Sequence, residues 1–188
     1  MAKMAKKAPK LAAVAAPAQP IRLDLGSGPN KREGFIGVDV LPFDGKVDVV
    51  FDLRHPWTWA DNSVEEAHSS HFIEHLTAPE RIHFFNELYR VLKPKAQCQI
   101  IVPHWASGRA YGDLTHQWPP VVEMFWFYLN KDWRAQNAPH VPLTCDFDAG
   151  WGHSLAPPWV SRNAEAQSFA INHYREVAQD MICTLTKK

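Results

Sequence analysis

From Ile21 onward the chain alternates short apolar runs with polar or glycine-containing breaks. Ile21–Leu25 (IRLDL), Phe35–Val40 (FIGVDV), Val47–Phe51 (VDVVF) and Gln97–Val102 (QCQIIV) read as strands, and Val64–Ser70 (VEEAHSS) as a weaker one between them. Nearly continuous apolar runs of this length suit a parallel sheet covered on both faces. The clearest helix is Ala78–Leu92, where Ile82, Phe85, Leu88, Val91 and Leu92 recur at helical spacing and supply one apolar face. Thr77 and Glu80 form a capping box, Pro79 sits in the first turn, and Lys93-Pro94 ends the run, as the chemistry of helix termini predicts. Further helices are predicted over Pro120–Leu129 and Ala164–Val177, with a last strand over Met181–Thr186. Strands alternating with helices indicate an α/β doubly wound fold.

Composition narrows the class. The length of 188 residues suits one domain. An apolar share of 46% and a charged share of 21% exclude a wholly disordered or collagen-like chain. Nowhere do 18 apolar residues run together, so no membrane-spanning helix is expected. Residues 1–20 are rich in Ala, Lys and Pro, with four lysines and no acid. Such a segment buries too little to offset its ordering entropy and is expected to be a disordered basic arm before a single domain over residues 21–188. Its apolar patch, Leu11–Ala16, is too short for the core of a signal peptide, which favours a cytoplasmic location. The remainder of the chain carries 16 bases against 20 acids, so duplex nucleic acid is not an expected partner. Cys98, Cys145 and Cys183 lie far apart and include no CxxC pair. That argues against a disulfide framework or zinc knuckle and for buried thiols in a reducing compartment.

Candidate chemistry begins at Asp24-Leu25-Gly26-Ser27-Gly28, a glycine turn directly after the first strand. Such a turn lets a ligand approach the backbone; alone it serves equally as a tight structural turn. Asp39 stands near the end of the second strand and Asp52 at the end of the third. With Asp24 they make three aspartates at strand carboxyl ends, the edge where open α/β sheets bind ligands.

In order and spacing, LDLGSGPNKREGFIGVDV, VDVVFDL, DNSVEEAHSSHFIEHL, FFNELYRVLKP and QIIVPHW resemble the class I S-adenosylmethionine-dependent methyltransferases, in particular small bacterial and phage-type members. The resemblance covers about Ile21 to Trp105. It implies a Rossmann-like fold: a mostly parallel twisted sheet, helices on both faces and an antiparallel final strand. It also implies S-adenosylmethionine as cofactor and S-adenosylhomocysteine as product. On that likeness Gly26, Ser27 and Gly28 pass under the methionine part, and Asp24 supports the loop or the amino group. Asp39 holds the ribose hydroxyls, Val40 and Leu53 lie against adenine, Asp52 meets its edge, and Ser70 and His71 line the reacting end.

Two departures bear on the pocket. Pro29-Asn30 follow Gly28 where a third glycine is usual, and only Pro29–Gly34 separate the loop from the second strand, too few for a crossover helix. A shortened first crossover follows. It counts against a nicotinamide-dependent dehydrogenase, whose glycine loop should open a helix that receives pyrophosphate.

Ten histidines remain. A metal set of His104, Asp113 and His116 lacks compact spacing such as H-E-x-x-H, so no metal is expected. A general base among His71, His75 and His104, with His75 or His104 taking the acceptor's proton, is the better expectation, because imidazole titrates near neutrality. Glu74, Trp105, Tyr111 and His116 are the candidates for contact with the acceptor. Residues 104–159 hold six of the eight tryptophans. This aromatic-rich insertion reads equally as an acceptor pocket or as a satellite core or dimer contact. The functional expectation is methyl transfer to an O or N nucleophile of an acceptor, a small molecule or another substrate, that the sequence does not identify. The alternative is a non-catalytic module of the same fold that binds the cofactor or a partner.

Overall fold

The computed structural model describes residues 19–188. The basic arm expected over residues 1–20 lies outside the described residues but for its last two. Seven strands, β1 (Ile21–Leu25), β2 (Ile36–Asp39), β3 (Val49–Val50), β4 (Val64–Ser70), β5 (Leu92–Pro103), β6 (Phe147–Leu155) and β7 (Ala178–Lys187), form one sheet in the order β3-β2-β1-β4-β5-β7-β6. The pairs among β1 to β5 are parallel, whereas β7 is antiparallel to both β5 and β6. The sheet is thus mostly parallel with an antiparallel edge, the Rossmann-like architecture expected. The dinucleotide-binding order 3-2-1-4-5-6 is interrupted by β7, which separates this fold from that of the dehydrogenases.

Five α-helices accompany the sheet: α1 (Ala78–Val91), α2 (Arg109–Gly112), α3 (Glu123–Phe127), α4 (Lys131–Asn137) and α5 (Ala164–His173). At the start of α1 the Glu80 carboxylate accepts from both the backbone N–H (2.8 Å) and the hydroxyl (2.7 Å) of Thr77. The first crossover has no helix, as the six-residue spacing demands. The two connections that follow have no α-helix either; they hold only a 3-10 turn at Phe43–Gly45 and irregular chain before Val64.

Several boundaries differ from the sequence reading. The third strand shrinks to two residues, and the helix expected at Pro120–Leu129 keeps only its centre. The helix expected to reach Val177 stops at His173, where Tyr174 turns extended and Val177 is buried just before β7. Lys93-Pro94 does not open a turn after α1. The chain enters β5 at once, with Leu92 paired to Val64, and absorbs the mismatch at Lys95, whose φ of 68° is left-handed. That conformation costs a non-glycine residue about 1–2 kcal/mol. β6 escaped prediction because Gly150 and Gly152 dilute its β-signal, although Phe147, Ala149 and Trp151 alternate as a half-buried strand should.

In-register rows of side chains give the sheet unequal faces. One row runs Leu23, Ala67, Cys98, Leu185 and the next Ser69, Ile100, Cys183, Trp151. These join Phe84, Phe85, Leu88 and Val91 of α1 in one core. The opposite face carries the row Asp24, His68, Gln99, Thr184, of which only Asp24 is buried. All three cysteines are free and buried, and burial pushes their thiol pKa values up, that of Cys145 to about 12.

Candidate active site

The carboxyl end of β2, the segment after β3 and the turn at residues 72–76 build a small pocket, beside which the glycine loop folds. Gly26 and Ser27 both donate their backbone N–H to Val38 O, which folds the glycine loop back over β2. Gly28 N donates to Asp39 Oδ2 at 2.9 Å and Leu41 N to Asp39 Oδ1 at 3.1 Å. Each oxygen keeps a further acceptor position, since an ionised carboxylate has about four. Asp39, Val40, Asp52, Leu53, Phe72 and His75 line the resulting cavity of about 230 Å3. Arg54 grips Asp52 through Nε and a terminal nitrogen and holds its pKa down to about 2.

The two glycines play different parts. The bare side of Gly26 is filled by the Phe72 ring, so this residue is small for packing. Gly28, at φ 53°, faces open space and is the position a ligand can approach. Asp24 is buried under the loop. It accepts from Arg32 N at 2.7 Å and pairs with His68 Nδ1 at 2.8 Å. The bond to Arg32 N ties Asp24 to the segment that follows the glycine loop.

A second hollow of about 550 Å3 opens beside the first and is lined by His71, Glu74, His75, Arg109, Asp113 and His116. His75 borders both. Buried Arg81 of α1 builds this corner. Its guanidinium donates to Ile73 O, Pro119 O and Gln117 O, and Gln117 N donates to Glu74 O. These bonds tie the Ile73–His75 turn to the following loop and bring His116 against His75, with ring centroids 4.7 Å apart. His71, at φ 53°, has Nδ1 3.3 Å from Glu74 Oε1, and that carboxylate pushes the imidazole pKa up. Arg109 is paired with Asp180 at 2.6 Å.

His104 belongs to a different group, and its expected part as a base is corrected here. It is 1% exposed; Nε2 donates to Glu123 Oε1 at 2.9 Å and Nδ1 accepts from Ala106 N at 3.2 Å, so neither nitrogen is free. His153 Nε2 and Trp105 Nε1 also donate to Glu123, and the histidines hold its carboxyl pKa far below the usual range. The metal set of His104, Asp113 and His116 is likewise not assembled: His116 sits with Glu74 and His75, and Asp113 is bonded to Thr115.

Among the acceptor candidates, Glu74 and His116 line the second hollow. Trp105 and Tyr111 line instead a neighbouring apolar groove of about 600 Å3, with Trp118, Pro119 and Phe125. Ser70 ends β4 with no hydrogen-bond partner assigned to its side chain, and Ser27 stays within the loop. Sequence reasoning missed Phe72, Arg54, Arg81 and Glu123. Only Arg54 carried a local signal, an opposite charge two residues from Asp52.

No family model matches the chain, and no curated protein matches it in sequence. Solved structures do match. An S-adenosylmethionine-dependent methyltransferase from Archaeoglobus fulgidus is 21% identical, with a TM-score of 0.65 over 90% of this chain and 87% of that one. A geranyl diphosphate C-methyltransferase from Streptomyces coelicolor A3(2), solved with Mg2+, geranyl diphosphate and S-adenosyl-L-homocysteine, is 15% identical, with a TM-score of 0.53 over 90% and 74%. The [4+2]-cyclase SpnF is 15% identical, also at 0.53, over 89% and 74%. The chain has the class I methyltransferase fold. At these identities the likeness is one of fold, and a cyclase shares it.

Proposed function

We propose that the protein transfers a methyl group from S-adenosylmethionine to an oxygen or nitrogen nucleophile of a small acceptor. The observation that carries the reading is Asp39. Its carboxylate is anchored by two backbone N–H groups and still has acceptor positions facing the pocket that it shares with Val40, Asp52 and Leu53. Paired ribose hydroxyls suit such a carboxylate, and Val40 and Leu53 offer apolar walls for adenine. The open backbone at Gly28 leaves room for the methionine portion. A sulfonium cofactor carries no phosphate, so a glycine loop without a following helix suffices for it.

The bound donor supplies an electrophilic methyl group. The chain's part is to align the acceptor with it, which by itself accounts for much of the acceleration in bimolecular reactions. The nucleophile forms its bond to the methyl carbon as the sulfur–carbon pair returns to sulfur, giving S-adenosylhomocysteine. His75 stands between the donor pocket and the second hollow, with a free Nε2 to receive the acceptor's proton. The neighbouring aromatic groove suits the apolar body of the acceptor.

Calorimetric titration with S-adenosylmethionine and S-adenosylhomocysteine, with NAD as control, tests the reading. Micromolar binding of either sulfur ligand and none of NAD is expected. Folded protein that binds neither would remove the donor site and leave a partner-binding scaffold. Binding without S-adenosylhomocysteine formation across an acceptor screen would make it a non-catalytic module.

A further inference from the structure

Glu74 is a buried carboxylate, 4% exposed, whose ion-pair partner among the described residues is His71, with Nδ1 3.3 Å from Oε1. Among the described residues neither Oε1 nor Oε2 has a hydrogen-bond donor. The nearby Arg81 guanidinium gives its donors to carbonyls, and His71 reaches only ion-pair distance without hydrogen-bond alignment. A buried carboxylate with an ion pair but no hydrogen-bond donor still has lone pairs to offer a cation.

The two histidines beside it hold their lone pairs ready. His116 Nδ1 lies 3.1 Å from Ala110 O, a carbonyl that can only accept, so Nδ1 carries the proton and Nε2 the lone pair. His75 Nδ1 lies 2.8 Å from Thr115 Oγ1, whose own proton goes to Asp113 Oδ1 at 2.7 Å. His75 Nδ1 is thus a donor too, and its Nε2 is free. A hydrogen bond from the far ring nitrogen to a carbonyl or a carboxylate-linked group is how metal-binding imidazoles are oriented.

One ligand atom from each of Glu74, His75 and His116 lies within 4.8 Å of the other two. Tetrahedral ligation at about 2.1 Å needs separations of about 3.4 Å, which small side-chain rotations supply. We propose that Glu74, His75 and His116 bind a divalent transition-metal ion of the zinc, cobalt or manganese class. Two imidazoles and one carboxylate suit these ions, and the open hollow leaves coordination positions for water or substrate. The trio of His104, Glu123 and His153 is equally compact, but both its imidazoles already donate to the carboxylate, so it presents no comparable demand for an ion.

The ion's role rests on the methyl-transfer reading; its binding does not. Because His75 also borders the donor pocket, an acceptor hydroxyl on the ion would face the donated methyl group. With the ion bound, His75 Nε2 is a ligand in place of its role as base; the ion would lower the hydroxyl's pKa so that its proton leaves to water.

The test uses untagged full-length protein, stripped with a chelator and dialysed. Co2+ is titrated by visible absorption, and bound metal is counted by equilibrium dialysis. One saturable Co2+ per chain, displaced by Zn2+, is expected. His116→Ala and Glu74→Gln, confirmed folded by circular dichroism, should bind at least about tenfold more weakly, and His153→Ala should bind as the parent does. Absence of saturable binding by folded protein overturns the proposal. So does equal binding by His116→Ala and Glu74→Gln, or loss of the ion in His153→Ala. None of these readouts requires donor binding or turnover, so failure here and failure of the methyl-transfer reading are separable.

Discussion

Gly26 lies so close to Phe72 that a methyl group on its Cα would stand 2.4 Å from two carbons of the ring. The backbone there is also left-handed, at φ 71°. Gly26→Ala therefore meets a clash and a backbone penalty together. Destabilisation by more than about 1 kcal/mol is expected in urea unfolding. An unchanged midpoint would show that Phe72 can swing away.

Asp39→Asn tests the donor site with little change in volume. The amide must turn an N–H toward either Gly28 N or Leu41 N, and the charge is lost. Charge-assisted hydrogen bonds contribute about 1.5–3 kcal/mol each, so affinity for S-adenosylhomocysteine should fall about tenfold or more by calorimetry. Retained affinity removes Asp39 from the ribose site.

Lys95 occupies a left-handed position at the start of β5, where glycine carries no steric penalty. Lys95→Gly should raise stability by up to about 1 kcal/mol, with no effect on ligand binding. Thermal melts of the two proteins, compared at one pH, decide it. A lower melting temperature would mean that the lysine's contacts outweigh its backbone penalty.

Glu123 titrates below its ordinary 4.5 in the folded protein, because His104 and His153 donate to it. Its contribution to stability is complete above about pH 5 and is lost as pH falls through the lowered value. With 32% of the side chain exposed, that contribution is about 1 kcal/mol. The stability gap between the parent and Glu123→Gln should be widest near pH 7, narrow as pH falls below about 4.5, and close only as pH passes through the lowered value, below about pH 3. A gap independent of pH would contradict the assignment.

The parallel half of the sheet was legible because β1 has a clear local pattern, and even the weaker candidate β4 has the limits that the sequence predicted. Asp39 was legible as the last residue of β2, whereas Asp52, expected at a strand end, lies two residues beyond the short β3. The Glu74, His75 and His116 cluster was not legible. Glu74 and His75 are adjacent in sequence, but His116 arrives through four carbonyls gathered around Arg81, a long-range event with no periodicity to betray it. The expectation of no metal weighed a set built on His104, and His104 proved to be engaged with Glu123. β6 was missed where glycines replaced the β-branched residues that mark a strand.

The helix-free connections between β1 and β4 have a dynamic counterpart. Residues 26–34 and 40–46 are half-buried or exposed loop, and β3 is a two-residue edge strand, while β5 and β7 share a long ladder inside the core. Local opening is easiest where packing is thinnest, so hydrogen exchange should run faster across the glycine loop and β2 than across β7. A ligand that binds only the closed form protects what it closes. The donor should leave its footprint as slowed exchange confined to that weaker end of the sheet, readable residue by residue before any acceptor is known.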